Sequence, residues 1–276
     1  MRIATVIGWP ISHSRSPLIH GYWLKRYGIA GAYERRPVRP EELPAFVETL
    51  RQGAIAGSNV TVPHKEAVLS LVDEADSIAR SIGAANTLWS EGGRVLATNT
   101  DAHGFLSNLV AAYPDWQDQP GVPYVIGAGG AARAVVYALK EAGCARIRLT
   151  NRSSERAQEM ARFFGSTVEI AGWADRTDQL GDTGLLINTT TQGMAANAPL
   201  DLALDALPAT AIVYDLVYVP LRTPLLVAAG LRGLRTLGGL GMLLHQAVPG
   251  FERWFGHRPE VTDELVRLVA ADIERA

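Results

Sequence analysis

The stretch Tyr124-Val-Ile-Gly127-Ala128-Gly129-Gly130-Ala131-Ala132 constrains the fold more than any other part of this 276-residue chain. An apolar run that reads as a strand ends at Gly127, and a helical pattern begins a few residues later. The glycines therefore fill a strand-to-helix turn, and their spacing fits G-x-G-x-x-A. Gly127 permits the tight turn, Gly129 lets the backbone approach a pyrophosphate, and Ala132 lets the helix pack closely on its sheet. The free N–H groups and positive dipole end of that helix favour a phosphate. Gly127, Ala128, Gly129, Gly130 and Ala131 are thus candidate contacts to a dinucleotide.

The next strand ends in Leu149-Thr150-Asn151-Arg152-Ser153-Ser154-Glu155-Arg156. A site for NAD usually has Asp or Glu there, about 20 residues after the glycines, accepting from the ribose 2′-hydroxyl. Here Asn151 and Arg152 stand in its place. A carboxylate repels a 2′-phosphate, whereas a guanidinium pairs with it through two parallel bonds. Arg156 lies one helical turn on and can share the same phosphate. The expected cofactor is NADP(H), with Asn151, Arg152, Ser153 and Arg156 at its phosphorylated ribose.

The character of the chain changes near residue 101. Before it, strand-like segments at 2–7, 33–38 and 57–62 alternate with helical ones at 16–28, 41–52, 64–72 and 76–82. Segments 86–89 and 94–98 flank Glu91-Gly-Gly, a hairpin turn. After residue 101 come a helix at 104–113 and a polar loop over 114–123. Strands at 124–126, 146–150, 185–188 and 211–215 follow, with helices at 131–142 and 155–164. The tail from about 241 to 275 is mostly helical and needs a surface to cover, for which the first series is a candidate.

Strands alternating with helices imply parallel sheets built by right-handed crossovers. Two such series imply two α/β domains, which agrees with roughly 150 residues per domain. Residues 1–101 plus 239–276 form the expected mainly parallel α/β substrate domain. Residues 102–238 form the expected Rossmann-type, doubly wound dinucleotide-binding domain. The joints at 101–104 and 236–240 are the expected hinges of a closing cleft.

Lys plus Arg is 26 and Asp plus Glu is 28, so no basic excess exists to neutralise a phosphate backbone, and nucleic acid is not the expected partner. Cys144 stands alone, which excludes an internal disulfide and a zinc site of Cys pairs. It reads as a small buried filler. His13, His64 and His245 have no metal-ligand spacing and read as groups that line or back a pocket, so no metal is expected, and the sequence assigns no role to His20, His103 and His257. Trp9 reads as packing, and the acidic run Asp73-Glu-Ala-Asp76 as a solvated helix junction. No apolar run approaches the roughly 18 residues of a membrane helix, and the N-terminus reads as a strand and not as a signal peptide. A cytoplasmic monomer or homodimer acting on a small molecule is the expectation.

Four further segments are dense in polar residues beside Gly and Pro, at strand ends where α/β proteins bind ligands. They are Gly8-Trp-Pro-Ile-Ser-His-Ser14-Arg-Ser16-Pro-Leu-Ile-His, Gly57-Ser-Asn59-Val-Thr61-Val-Pro-His-Lys65, Ile82-Gly-Ala-Ala-Asn86-Thr and Thr98-Asn-Thr-Asp101-Ala-His-Gly-Phe. Later come Asn188-Thr-Thr-Thr-Gln-Gly-Met, Asp215-Leu-Val-Tyr218-Val-Pro-Leu-Arg-Thr-Pro-Leu-Leu and Gly239-Leu-Gly-Met-Leu-Leu-His-Gln246-Ala. In this order, over nearly the whole chain, they closely resemble the signature segments of the shikimate dehydrogenase family.

The resemblance implies reversible reduction of 3-dehydroshikimate to shikimate by NADPH, a step of chorismate and aromatic amino acid biosynthesis. It implies that Ser14 and Ser16 bind the substrate carboxylate. Asn59, Thr61, Lys65, Asn86, Asp101, Tyr218 and Gln246 would surround the ring and its hydroxyls, and Lys65 and Asp101 would be the catalytic pair. Thr190, Leu216 and Gly239, with Met242 nearby, would lie near the nicotinamide.

These residue types suit that chemistry. A polyhydroxylated ring needs donors and acceptors at fixed angles, and such a site rejects an analogue that leaves them unpaired. Hydride transfer builds negative charge on the carbonyl oxygen, so a proton donor must stand beside it. Lys65 can donate and steady the alkoxide, and Asp101 can anchor Lys65 and accept from a substrate hydroxyl. The residues leave open which of the two moves the proton, and Lys65 is the working assignment.

Gly21 stands where many members of the family have Asn, and Gly238 where Asp or Asn is common. These departures bear on the choice between the biosynthetic enzyme and its relatives, the quinate/shikimate and aminoshikimate dehydrogenases. A non-catalytic nucleotide-sensing protein on the same scaffold would show damage at Lys65 or Asp101, and both are intact.

Overall fold

The computed structural model describes every residue except Gln119, Ala196 and Ala276. The loop expected over 114–123 includes Gln119, which lies outside the described residues. The chain forms two compact units, Met1–Gly104 with Leu243–Val269, and Phe105–Met242 with the chain from Ala270.

The first series of elements is β1 (Arg2–Gly8), α1 (Ser16–Arg26), β2 (Gly31–Pro37), α2 (Leu43–Arg51), β3 (Gly57–Val60), β4 (Glu74–Ala75), α3 (Ser77–Ile82), β5 (Thr87–Glu91) and β6 (Arg94–Thr98). Then come α4 (Asp101–Ala112), β7 (Val122–Ile126), α5 (Gly130–Glu141), β8 (Ile147–Thr150), α6 (Ser154–Phe164), β9 (Val168–Ile170), β10 (Thr183–Asn188), β11 (Ile212–Asp215), α7 (Pro224–Leu231) and β12 (Arg235–Gly238). The helices α8 (Leu240–Phe255) and α9 (Asp263–Arg275) close the chain.

The first unit holds a six-stranded sheet of order β2-β1-β3-β5-β6-β4. The pairs β1/β2, β1/β3 and β4/β6 are parallel, and β5 runs antiparallel to both β3 and β6. The antiparallel step follows from the tight turn at Gly92 and Gly93, whose φ angles of 60° and 75° are the left-handed pair a two-residue hairpin needs. On α2, Leu43, Phe46, Val47 and Leu50 are all buried, as their helical spacing requires. The tail does find a surface. Trp254 of α8 is fully buried, its Nε1 donates to the Leu88 carbonyl at 2.9 Å, and a Cβ at Gly57 would overlap its ring.

One local expectation is corrected. The helix expected at 64–72 is only a 3₁₀ turn, Ala67–Ser70. The Lys65 carbonyl accepts from Ala85 N at 2.8 Å, and Leu69 N turns to Glu66, so the ladder of an α-helix cannot continue there. The acidic run at 73–76 is a joint as well as a solvated junction. Asp73 accepts from Val95 N at 2.7 Å, a bond that helps hold its carboxyl below the ordinary range. Asp76 caps α3 by accepting from Ala79 N at 2.8 Å and also accepts from Thr98 Oγ1 at 2.6 Å.

The second unit holds a six-stranded, wholly parallel sheet of order β12-β11-β10-β7-β8-β9. Counted from β7 this is the doubly wound order of dinucleotide-binding folds, and its switch point lies between β7 and β10. The strands β9 and β12 and the helix α7 were not foreseen. Val168-Glu-Ile and Arg235-Thr-Leu-Gly are too short to show a period, and Pro-Leu-Leu-Val-Ala-Ala-Gly-Leu is apolar all round. Among the described residues no helix is long and apolar enough to cross a membrane.

His20 proves to be a core residue. Its ring is fully buried, stacks on Tyr33 at 3.9 Å and meets Trp23 edge-on. Burial pushes its pKa down to about 3. Between about pH 3 and 6.5 the folded chain therefore binds fewer protons here than the unfolded chain. The stability this residue contributes is full above pH 6.5 and falls on acidification at about 1.4 kcal/mol per pH unit. Urea titrations near pH 7.5 and pH 5 should show a loss of about 2 kcal/mol that His20→Phe lacks. Equal losses in the two proteins would contradict this.

Candidate functional site

In the first unit Lys65 Nζ donates to Asp101 Oδ2 at 2.5 Å, with side chains 14% and 5% exposed. Lys65 is fixed from behind by the bond from Ala85 N to its carbonyl. Asp101 opens α4, and its N–H is taken by Asn99 Oδ1 at 2.9 Å. Its second oxygen, Oδ1, accepts from Asn86 Nδ2 at 2.9 Å. The carboxylate is thus held at both oxygens, while the ammonium keeps two of its three donor directions for another group.

Asn86 is the hub of the surroundings. Its Nδ2 also lies 2.9 Å from Thr100 Oγ1 and 3.3 Å from Gln246 Oε1. Its Oδ1 accepts from Thr100 N at 2.8 Å and Thr87 Oγ1 at 2.9 Å. Gln246, on α8, is tied in further by Thr100 Oγ1, which donates to its carbonyl at 2.8 Å. Asn59, at the end of β3, donates to the Asn86 carbonyl at 3.2 Å and accepts from Tyr33 OH at 2.5 Å. Thr61 follows β3, and its N–H donates to the Ile7 carbonyl at 2.9 Å.

Ser14 and Ser16 are buried at the start of α1, joined by a 3.3 Å bond from Ser16 N to Ser14 Oγ. Arg35 donates to the Ser14 carbonyl at 2.8 Å. Burial first, then the charges of Arg15 and Arg35, lower the pKa of His13. A helix N-terminus in a positive local field suits a carboxylate.

The second unit carries the candidate nucleotide cradle. Gly127 has φ 115°, and its N–H donates to the Thr150 carbonyl at 2.8 Å. A Cβ there would run into Thr189 Oγ1 and lie 3.1 Å from Thr190 Cγ2, so only glycine fits. Gly129 is the N-cap of α5, with open space where a side chain would stand. Ala128 is buried, while Gly129, Gly130 and Ala131 are partly exposed at the helix start, and Ala132 is fully buried against the sheet. The cradle fits a pyrophosphate.

At the end of β8, Asn151 Nδ2 donates to the Ser153 carbonyl at 2.9 Å. Ser153 caps α6 by accepting from Arg156 N, and Arg152 and Arg156 are both exposed. No carboxylate occupies the strand end, where one would oppose a 2′-phosphate. Thr190 follows β10, Leu216 and Tyr218 follow β11, and Gly239 and Met242 follow β12, so all five belong to this unit. Gly239 N donates to the Val217 carbonyl at 3.3 Å, and a Cβ at Gly239 would overlap the Leu216 carbonyl.

Thus Lys65, Asp101, Asn86, Asn59 and Gln246 form one hydrogen-bonded cluster, and Tyr218 belongs to the other unit. Sequence reasoning missed Tyr33, Thr87, Asn99 and Thr100, which orient that cluster. Thr87, Asn99 and Thr100 lie within the polar segments 82–87 and 98–105, where polarity beside Asn86 and Asp101 is the available signal. His64 is buried and bonded to the Val38 carbonyl at 2.8 Å, a structural role and not that of a pocket wall. Trp9 is 44% exposed under the guanidinium of Arg39 and is not core packing, and Cys144 is only half-buried. Among the described residues no three His, Cys, Asp or Glu side chains gather as a metal site. Gly21 faces open space in an unbroken α1, and a side chain at Gly238 would make only ordinary contacts, so neither glycine is required by space.

Comparison with known proteins agrees along the chain. Family models match for the shikimate dehydrogenase substrate binding domain over residues 6–88, shikimate/quinate 5-dehydrogenase over 121–195, and the shikimate 5′-dehydrogenase C-terminal domain over 239–263. A shikimate dehydrogenase (NADP⁺) of Nitrobacter winogradskyi is 56% identical over 272 residues, covering 99% of this chain and 97% of that protein. The crystal structure of shikimate 5-dehydrogenase from Thermus thermophilus in complex with NADP(H) and shikimate has a TM-score of 0.86 at 35% identity, covering 99% of this chain and 100% of that one. Quinate dehydrogenase from Corynebacterium glutamicum in complex with NAD has a TM-score of 0.87 at 28% identity, covering 98% and 99%.

Proposed function

The chain belongs to the shikimate dehydrogenase family, and on that premise we propose that it reversibly reduces 3-dehydroshikimate to shikimate with NADPH, toward chorismate and the aromatic amino acids. The observation that carries the reading is the intact Lys65–Asp101–Asn86 constellation in a chain 56% identical to an NADP⁺-dependent shikimate dehydrogenase.

In this reading Ser14 and Ser16 bind the substrate carboxylate at the start of α1. Asn59, Thr61, Asn86, Gln246 and Tyr218 take the ring hydroxyls. Bound NADP(H) supplies or accepts the hydride. Lys65 Nζ stands at the carbonyl oxygen, stabilises the developing alkoxide and donates the proton that completes the hydroxyl. Asp101 holds that ammonium and accepts from a neighbouring substrate hydroxyl. In the reverse direction the neutral Lys65 amine takes the proton back. Gly127 to Ala131 cradle the pyrophosphate, Arg152 and Arg156 hold the 2′-phosphate, and Thr190, Leu216, Gly239 and Met242 flank the nicotinamide.

The experiment is to add 3-dehydroshikimate to protein and NADPH and follow loss of NADPH absorbance, beside the heat protection given by shikimate alone. Both turnover and protection are expected. Protection without turnover would instead favour a nucleotide-sensing protein on this scaffold.

A further inference from the structure

Asp215 is fully buried at the end of β11, and among the described residues no cation neutralises it in its hydrogen-bonded surroundings. Burial pushes its pKa up, and bonds from Thr223, Val217 and Asn188 oppose that shift. An acidic side chain placed so is costly unless hydrogen bonds offset its burial. Its donors come from three separate segments. Asn188 Nδ2, at the end of β10, donates to Oδ1 at 2.9 Å, and Val217 N donates to the same oxygen at 3.1 Å. Thr223 Oγ1, the N-cap of α7, donates to Oδ2 at 2.6 Å and accepts from Leu226 N at 3.3 Å.

Asn188 passes the constraint on. Its Oδ1 accepts from Thr190 N at 3.0 Å and Thr190 Oγ1 at 2.8 Å, and its Nδ2 also reaches the Gln192 carbonyl at 3.2 Å. On the other side Thr189 Oγ1 donates to the Ile126 carbonyl at 2.7 Å, which ties the same loop to the Gly127 turn. The turn at 216–218 is clamped between Asp215 and Gly239. One carboxylate therefore fixes the spacing of Thr190 and Leu216, and neither of its direct side-chain donors is a residue assigned to a ligand.

We propose that Asp215, acting through Asn188, is a positioning residue for the nicotinamide end of the cofactor site, holding the loops of Thr190 and Leu216–Tyr218 in register for hydride transfer. This rests on the function proposed above, which places those loops at the nicotinamide. The adenosine end, which that function places at Arg152 and Arg156 beyond β8, shares none of these bonds.

Asp215→Asn keeps the shape and one oxygen but sets an amide against Thr223. Its kcat should fall about tenfold to a hundredfold, as sub-ångström misplacement of reactants does. With NADPH deuterated at the transferred position, the primary isotope effect on kcat should rise. The Kd for adenosine 2′,5′-bisphosphate, which probes the adenosine end alone, should stay within about twofold of wild type, and Thr223→Ser should restore near-normal kcat beside a weakened Thr223→Val. A kcat within twofold of wild type, or a bisphosphate Kd that rises in step with the loss of kcat, would overturn the proposal. If Asp215→Asn does not fold, Thr223→Val against Thr223→Ser gives the same reading, and equal kcat for these two overturns it. Absence of turnover in the wild type, with the bisphosphate still bound, would count against the function and leave the loop geometry standing.

Discussion

Lys65→Ala lowers kcat by about 10²- to 10⁴-fold while KM for shikimate changes far less. The substitution is clean because the bond that places residue 65 is made by its backbone carbonyl, accepting from Ala85 N at 2.8 Å. Asp101 keeps Asn86 on its other oxygen at 2.9 Å, and Asn86 keeps Thr100, Thr87 and Gln246. The cluster around Asn86 therefore survives, and on the proposed assignment what disappears is the ammonium beside the carbonyl oxygen. Steady-state kinetics in the direction of shikimate oxidation check this. A variant with near-normal kcat would sink Lys65 as proton donor, and an equal loss in kcat/KM carried entirely by KM would make it a binding residue.

Arg152→Ala lowers kcat/KM for NADPH by about tenfold and leaves NADH almost unaffected. A hydrogen bond to a charged group is worth about 1.5–3 kcal/mol, and the exposure of Arg152 sets the effect toward the lower end. Replacing Arg156 as well deepens the loss, because on the proposed assignment the two share one phosphate. The quantity to read is the ratio of kcat/KM for the two cofactors at low and at high salt. The wild-type ratio should shrink as salt screens the phosphate contact, and the double variant should show little salt dependence. An unchanged ratio in both variants would remove the arginines from cofactor choice.

The glycine turn between β7 and α5 was legible because its cause is local. A glycine that must take φ 115° with no room for a Cβ leaves a mark in the sequence itself. The periodic apolar faces of α2 and α5 were legible for the same reason. Tyr33 was not, since its hydroxyl gains its partner only when distant strands are brought together. Asn59 meets Tyr33 across 26 residues, and Asn86 meets Gln246 across 160. The failure of the helix at 64–72 has the same origin, because Ala85, a partner from elsewhere, took the carbonyl that the helix needed. Strands of three or four residues, such as β9 and β12, are defined by their neighbours in the sheet and carry no period of their own.

The most direct test of the central claim is a comparison of kcat/KM for shikimate and quinate, each with NADP⁺ and with NAD⁺. Quinate carries an added hydroxyl on the carbon that bears the carboxylate, so on the proposed assignment it probes the pocket of Ser14 and Ser16, while the cofactor pair probes Arg152 and Arg156. The expected result is that shikimate with NADP⁺ exceeds each of the other three combinations. A clear preference for quinate with NAD⁺ would contradict the account.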